Sequence, residues 1–241
     1  MRKRARLFLL LFAPILKAGP PPVAATAFDS YCETVEARTK QPSPRSPESP
    51  LQPGELIIER IAAPDLPGAL LHHWRGAAFV PGATAANFEQ LLRDFDSYPR
   101  YFSPQVLEAK VLSQNVLSQD GPHLKARMRV RQHHIITVVL DATYDITFGQ
   151  LDPLHRYSIS KSTRIDEVDS AEDHGFLWRL NTYWSYEERD GGLYLRIEAV
   201  SLTRTIPRGL GWAIGPYITS IPRESLEFTL RSARNALQKR T

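Results

Sequence analysis

Segments in which apolar and polar residues alternate one by one run through the second half of the chain and constrain its fold most. Residues 124–131, for example, alternate Leu, Ala, Met and Val with Lys and Arg. Because successive side chains of a β-strand point to opposite faces, this pattern predicts half-buried strands. About seven strands are predicted: 71–80, 106–116, 124–131, 136–148, 157–168, 176–186 and 193–203. Turn signals such as Asp120-Gly121-Pro122 join them, which favours an antiparallel meander.

Helical periodicity interrupts and ends this run of strands. Residues 83–95 carry apolar side chains at spacings of three and four, and a second short helix is predicted near Tyr98 and Phe102. A long final helix is predicted from Pro222, with an apolar stripe of Leu226, Leu230, Ala233 and Leu237. A curved sheet needs a covered inner face, and this helix is the predicted cover. The predicted fold class is α+β, with a curved antiparallel sheet wrapped around a long C-terminal α-helix and two short helices after the first strand.

The N-terminus has the organisation of a secretory signal peptide. Residues 1–6 are basic, 7–16 are mostly apolar, and Ala25-Thr26-Ala27 offers small residues to a signal peptidase. The apolar stretch is about half of the roughly 20 residues that span a bilayer. We therefore predict a signal at 1–27 and an exported protein, periplasmic or extracellular. A non-cleaved membrane anchor is the alternative.

Proline interleaved with serine dominates residues 41–53. Proline lacks a backbone donor and favours extended chain, so a Pro-rich disordered linker is predicted for 28–53. The folded domain is expected at 54–241. The single cysteine, Cys32, lies in the predicted linker and has no partner for an internal disulfide. It is read either as an incidental residue of a mobile tail or as an intermolecular or reactive thiol.

The distribution of charge limits the classes of partner. The chain has 30 Lys and Arg against 26 Asp and Glu, but five of the bases lie in residues 1–27, which contain no acid. The remaining 25 bases and 26 acids give no basic excess of the kind that binds nucleic acid, so no nucleic-acid partner is predicted. The bases of 124–131 are expected to pair across strands with Asp141 and Asp145 rather than to bind an anionic surface.

The sequence contains no familiar metal, nucleotide or nucleophile motif. The neighbours His72 and His73 point to opposite faces of a strand and cannot easily share a metal, and the same holds for the pair at 133–134. The glycines at 209–215 have the wrong spacing for a dinucleotide loop, and no second strand follows them. No metal and no cofactor are therefore predicted.

Strand, two helices, antiparallel strands and a long helix is the order of the helix-grip fold. Residues 88–112 (FEQLLRDFDSYPRYFSPQVLEAKVL) and 206–237 (IPRGLGWAIGPYITSIPRESLEFTLRSARNAL) resemble the START-like superfamily, including its coenzyme Q-binding and polyketide cyclase/dehydrase families. The resemblance covers roughly residues 70–238. It implies a hydrophobic small-molecule ligand, since members bind lipids, sterols, quinones, polyketides or plant hormones, and only some are enzymes.

A cavity between the sheet and the terminal helix is also expected on physical grounds. Large aromatic side chains mixed with a few polar ends are typical of a pocket for an amphipathic molecule, although such aromatics can instead fill a core. The candidate ligand-binding residues are Met128, Tyr144, Phe148, Tyr157, Lys161, Trp178, Trp184, Tyr186, Trp212 and Tyr217. The last two are positioned to close over a ligand, to contact a membrane surface transiently, or to pack.

Two classes of function remain. The preferred one is a module that binds or carries a lipid, quinone or isoprenoid-like molecule. The alternative is a cyclase/dehydrase-type enzyme in which Tyr144, Lys161 or Tyr186 transfers a proton on a buried polyketide-like or aromatic substrate. A protein-interaction domain that uses the Pro-rich arm ranks last. An apolar cavity with a polar end favours the carrier, and converging ionisable groups favour the enzyme.

Overall fold

The computed structural model describes residues 19–41, 51–115, 121–133, 137–168, 176–205 and 211–239, with the backbone alone at 133 and 211–219. These residues form four α-helices and eight β-strands. Their order is α1 (Pro22–Thr39), β1 (Leu56–Ile61), β2 (Ala69–Pro81), α2 (Ala85–Arg93), α3 (Tyr98–Tyr101), β3 (Val106–Asn115), β4 (His123–His133), β5 (Thr137–Gln150), β6 (His155–Val168), β7 (Leu177–Arg189), β8 (Gly192–Arg204) and α4 (Gly211–Gln238). A 3-10 turn, Phe95–Ser97, precedes α3.

The strands form one sheet in the order β1-β2-β8-β7-β6-β5-β4-β3, and every neighbouring pair is antiparallel. The predicted meander is therefore β3 to β8, and β2 closes on the last strand. The described strands number eight rather than about seven, because β1 was not predicted. Its adjacent charged residues, Glu59 and Arg60, break the alternation that reveals the other strands.

Helix α4 packs on one face of the sheet, which we call the inner face. Its predicted stripe is buried, with Leu226 at 3% exposure and Leu230, Ala233 and Leu237 at 0%. Gly76 on β2 allows close approach, since a Cβ there would lie 3.1 Å from Leu230 Cδ2. The predicted cover and the helix-grip architecture are confirmed. The helix begins at Gly211, upstream of the predicted start at Pro222, and it therefore includes residues 211–215 of the glycine-containing segment.

Helix α1 packs on the opposite, outer face of the sheet, which the sequence analysis did not predict. Ala24, Phe28, Cys32 and Val35 are 0–4% exposed and lie on an apolar cluster of Leu71, Ile159, Tyr183, Val200 and Leu202. The predicted disordered linker at 28–53 is thus corrected as far as Thr39, and residues 42–50 lie outside the described residues. The apolar residues at 24, 28, 32 and 35 have helical spacing. The linker was nevertheless predicted because of the prolines that follow them.

Most of the predicted signal, residues 1–18, lies outside the described residues. Its predicted cleavage site, Ala25-Thr26-Ala27, lies in the first turns of α1, directly after the buried Ala24. Export and cleavage stay predictions. None of the helices in the described part of the chain is both long enough and apolar enough to cross a bilayer.

Candidate functional site

A cavity of about 170 Å³ lies between the inner face of the sheet, helix α4 and the α2–α3 segment. Helix α4 contributes Ser225, Phe228 and Thr229, while the strands β3 to β8 contribute the floor and the far wall. The curvature of the sheet keeps its inner face away from the helix at this point, so side chains from both layers meet a space rather than each other. The predicted cavity is therefore present.

Aromatic side chains from the α2–α3 segment form one wall of the cavity. The rings of Phe95 and Tyr98 stack with centroids 4.3 Å apart, and those of Tyr98 and Phe102 are 4.8 Å apart. The Tyr98 hydroxyl donates a hydrogen bond to the Leu92 carbonyl oxygen at 3.0 Å, which fixes the ring. The sequence analysis predicted this short apolar helix but did not assign it to the site.

Three of the predicted ligand-binding residues lie on the cavity: Met128, Tyr144 and Trp184. Trp184 is held by Phe88 of α2, whose ring meets it edge to face at 5.0 Å between centroids. Met128 and Tyr144 are on the inner faces of β4 and β5, where the period-two pattern placed them. The strong strands of the meander therefore place these three side chains on the cavity, and their role in binding stays a prediction.

Small polar residues of β6 and β7 form the floor, and the sequence analysis did not select them. Ser158, Ser160 and Thr182 line the cavity, and Ser160 lies opposite Thr182 in the register of the two strands. The serines at 158, 160 and 162 are spaced by two residues, and this spacing indicates that they lie on one face of a β-strand. A search for alternating small polar residues beside aromatic strands would have found them.

A second polar group lies where α4 meets the end of β4. Gln132 Nε2 donates to Ser225 Oγ at 3.4 Å, and Thr229 Oγ1 donates to the Ser225 carbonyl oxygen at 2.8 Å. All three side chains line the cavity together with Gln105. This end of the cavity can donate hydrogen bonds to an oxygen and accept them from a hydroxyl.

The described lining of the cavity is uncharged. Among the described residues, its lining contains no Asp, Glu, His, Lys or Arg. Burial raises the pKa of Tyr144 above its ordinary value, and burial with the nearby Asp94 carboxylate does the same for Tyr98. Both phenols therefore stay protonated at physiological pH, and the site offers neutral donors and acceptors in an apolar setting.

Phe148 and Tyr186 belong to the inner core but not to the described lining of the cavity. The Arg93 guanidinium lies over the Phe148 ring, 4.3 Å from its centroid. The Tyr186 ring meets Phe88 edge to face at 5.0 Å between centroids. Both side chains are 2% exposed and attach α2 to the sheet, so they support the cavity wall rather than form it.

The prediction that Tyr157 and Lys161 point inward is corrected, because the structure places both on the outer face. Tyr157 packs against the outer apolar cluster, and Lys161 is exposed and forms an ion pair with Glu36 of α1. Ile159, between them, is 2% exposed beneath α1. Since α1 buries the outer side of β6, apolar residues did not distinguish its two faces.

The inward prediction for Trp178 is corrected in the same way. A register shift between Leu177 and Arg179 reverses the alternation at the start of β7. Trp178 therefore packs on the outer cluster, while Leu180 and Trp184 keep the inner face. The remaining two candidates, Trp212 and Tyr217, are in α4, but their side chains lie outside the described residues.

Buried polar side chains connect α1 to the outer face of the sheet. The Glu198 carboxylate accepts the His73 Nε2 hydrogen at 2.7 Å and binds Arg38 of α1 at 2.7 Å and Arg75 at 3.3 Å. His73 Nδ1 lies 2.8 Å from the Tyr31 hydroxyl of the same helix. We call Tyr31, Arg38, His73, Arg75 and Glu198 the outer polar cluster.

Electrostatics in the outer polar cluster favour an ionised Glu198. Burial alone raises the pKa of this carboxyl, but His73, Arg75 and Arg38 outweigh it and lower the pKa to about 2. The neighbouring Cys32 behaves in the opposite way, since burial raises the pKa of its thiol to about 11. Cys32 is thus a protonated packing residue of α1 at neutral pH, and the mobile-tail interpretation is corrected.

Two other sequence predictions can be compared with the structure. Arg127 Nε and Arg129 Nη2 both donate to Asp141, at 2.7 and 3.2 Å, which confirms cross-strand pairing of these bases. His72 bonds Thr203 on the inner side while His73 bonds Glu198 on the outer side, so the two rings diverge as predicted. Within the ranges that the structure describes, no three His, Cys, Asp or Glu side chains are grouped to hold a metal ion.

Comparisons with known proteins bear on the fold. A START superfamily protein from Mycobacterium smegmatis is 14% identical, with a TM-score of 0.45 over 72% of this chain and 99% of its own. A STAR-related lipid transfer protein from Xanthomonas axonopodis is 16% identical, with a TM-score of 0.49 over 74% of this chain and 98% of its own. An aromatase/cyclase from Streptomyces sp. R1128 is 14% identical, with a TM-score of 0.49 over 71% and 96%.

Solved START-like structures are therefore among those that this chain resembles, as the sequence predicted. No protein-family model and no curated protein matches the chain. The functional argument therefore depends on the cavity itself.

Proposed function

We propose that the protein binds a hydrophobic small molecule in the cavity between the sheet and α4, and that it carries or holds this molecule without transforming it. The observation that carries the proposal is a space within the core whose described lining is uncharged, with aromatic rings on its walls and hydroxyls on its floor. Apolar walls with a few oriented polar groups are the usual form of small-molecule sites.

The chemistry of the lining supports binding rather than the cyclase/dehydrase alternative. Proton transfer needs a group whose pKa is near the working pH. Of the three candidates for that role, Lys161 lies on the outer face, and burial raises the pKa of both Tyr144 and Tyr186. No carboxylate, imidazole or amine among the described residues lines the cavity to act in their place.

A cavity-filling substitution tests the proposal. Ala142 is 3% exposed and lines the cavity, so Ala142→Leu adds three carbon atoms to its floor. We expect the variant to bind the hydrocarbon tetralin roughly tenfold or more weakly than the wild-type chain, because the space is occupied. Isothermal titration calorimetry measures the affinity. Native mass spectrometry followed by solvent extraction shows whether a small apolar molecule also co-purifies with the wild-type chain and is lost from the variant.

Thr147→Leu is the matched control. Thr147 lies on the same strand but on the opposite face, since its cross-strand partner is the outward Ile159. This variant should keep the wild-type affinity for tetralin. Tetralin binding that is equal in all three proteins, or no binding by the wild-type chain together with an empty extract, would contradict the proposal.

A further inference from the structure

The Tyr144 side chain is buried, and none of the hydrogen bonds found among the described residues involves its hydroxyl. The residue is 7% exposed, and it lines the cavity. Its pKa is raised by burial alone, with no hydrogen bond among the causes. In contrast, the other phenol of the lining, Tyr98, already donates to Leu92. Buried donors in proteins are nearly always paired, so the Tyr144 hydroxyl has an unused capacity that a bound molecule can satisfy.

We propose that the ligand is an uncharged molecule with an oxygen acceptor, such as a ketone or quinone carbonyl, and that the Tyr144 hydroxyl binds this oxygen. The inference rests on the proposed function and specifies the chemical class that the same cavity takes.

The absence of charge from the described lining argues against an ionic group on the ligand. A carboxylate or phosphate in this space would lose its water and find only neutral donors, and a buried charge without a counter-ion is strongly disfavoured. A carbonyl has no such cost, because one or two neutral donors satisfy it. Ser160 and Thr182, directly opposite each other on the neighbouring strands, supply further hydroxyls beside Tyr144.

The size of the cavity restricts the ligand further. Its volume of about 170 Å³ is close to that of an engineered cavity of about 150 Å³ that holds benzene, and it is below the roughly 300–1,000 Å³ of drug-sized sites. One or two rings fill such a space. The stacked rings of Phe95 and Tyr98 offer a flat wall against which a ring system packs.

Three probes of similar shape separate these features: tetralin, 1-tetralone and 1-naphthoate. The first lacks an oxygen, the second adds one carbonyl, and the third adds a carboxylate. We expect the full wild-type chain to bind 1-tetralone about fivefold more tightly than tetralin, and 1-naphthoate at least about tenfold more weakly than 1-tetralone. Tyr144→Phe should remove the advantage of 1-tetralone over tetralin. Calorimetry gives the affinities.

Tyr183→Phe is the matched control, since Tyr183 is 1% exposed and lies on the outer face beneath α1. This variant loses the same hydroxyl elsewhere and should keep the preference for the ketone. The carbonyl ¹³C resonance of 1-tetralone bound to the wild-type chain provides a readout that needs no variant. A hydrogen bond moves it downfield of its position in hydrocarbon solvent.

The outcomes distinguish the inference from the function on which it rests. Tetralin binding with no preference for the ketone, an unshifted carbonyl resonance, or tight binding of 1-naphthoate would overturn the inference and leave the proposed cavity function standing. Failure of all three probes to bind the wild-type chain, together with an empty solvent extract, would overturn both. A ketone preference that Tyr144→Phe abolishes and Tyr183→Phe retains establishes the role of Tyr144.

Discussion

Replacing Glu198 by Gln is expected to lower the free energy of unfolding by about 3 kcal/mol at pH 7. The carboxylate is only 8% exposed and is the common partner of His73, Arg38 and Arg75. Gln keeps the shape but not the charge, so the two guanidinium groups lose their shared anion and the attachment of α1 to the sheet is weakened. Urea denaturation followed by circular dichroism measures the change.

The same carboxylate makes a pH-dependent contribution with a defined sign. The pKa of Glu198 is lowered in the folded protein from 4.5 to about 2. The stabilisation, about 3 kcal/mol, is complete above pH 4.5 and is lost as the pH falls through 2. The difference in stability between the wild-type chain and Glu198→Gln should therefore shrink over this interval.

Glu59→Gln is the control for the charge. Glu59 also binds Arg75, at 3.1 Å, but its side chain is 49% exposed. Its replacement should cost no more than about 1 kcal/mol, as exposed ion pairs do. Equal losses of unfolding free energy in Glu198→Gln and Glu59→Gln would contradict the prediction. So would a difference in stability between the wild-type chain and Glu198→Gln that does not change with pH.

Phe28→Ala is expected to lower the free energy of unfolding by about 3–5 kcal/mol, which is the cost of emptying a large buried site. Phe28 is 1% exposed and is the largest apolar side chain that α1 places on the outer cluster. Glu198 and Phe28 both hold α1 on the sheet. Because the helix can detach only once, the double substitution should lower the free energy of unfolding by less than the sum of the two separate losses. The loss of unfolding free energy is obtained from the urea concentrations at the midpoints of denaturation, provided that the dependence of the free energy on urea concentration is the same in both proteins.

The control on the same helix is Val23→Ala, because Val23 is 68% exposed. Its effect should stay within about 0.5 kcal/mol. If Phe28→Ala is as mild as Val23→Ala, helix α1 does not pack on the sheet in solution. If the chain that lacks residues 19–41 is as stable as the full chain, the same conclusion follows, since the outer apolar cluster would then tolerate exposure to water.

The strands that could be predicted correctly are those with one face exposed to solvent, because there the polar residues mark the outer face. On β4 the alternation of Met128 with charged neighbours gave the correct inner face, because Arg127 and Arg129 remain at the solvent side and pair with Asp141. The stripe on α4 was equally clear, since a helix that covers a sheet needs only one apolar side. These elements fix the architecture and part of the cavity lining.

The errors come from the places where both faces of the sheet are buried. Under α1 the outward Ile159 and the inward Ser160 invert the usual relation between polarity and exposure, so Tyr157 and Lys161 were assigned to the wrong side. Alternation with period two shows that two sets of residues face opposite sides of the sheet, but not which set faces the core. A single register shift at Leu177 also exchanges the two sets. Knowledge that α1 covers the outer face would have identified the inward residues. The helical spacing of α1 itself was overlooked because a proline-rich segment follows it.

The pairing of β2 with β8 determines when this protein can fold during synthesis. His72 lies opposite Ser201 in that pairing, and α4 packs against β2 from still further along the chain. The hairpin of β1 and β2 therefore lacks its next neighbour in the sheet until the last fifth of the chain has been made, since contacts so distant in sequence form late. We expect the apolar residues of this hairpin that α4 and β8 later bury to stay accessible to water for most of translation.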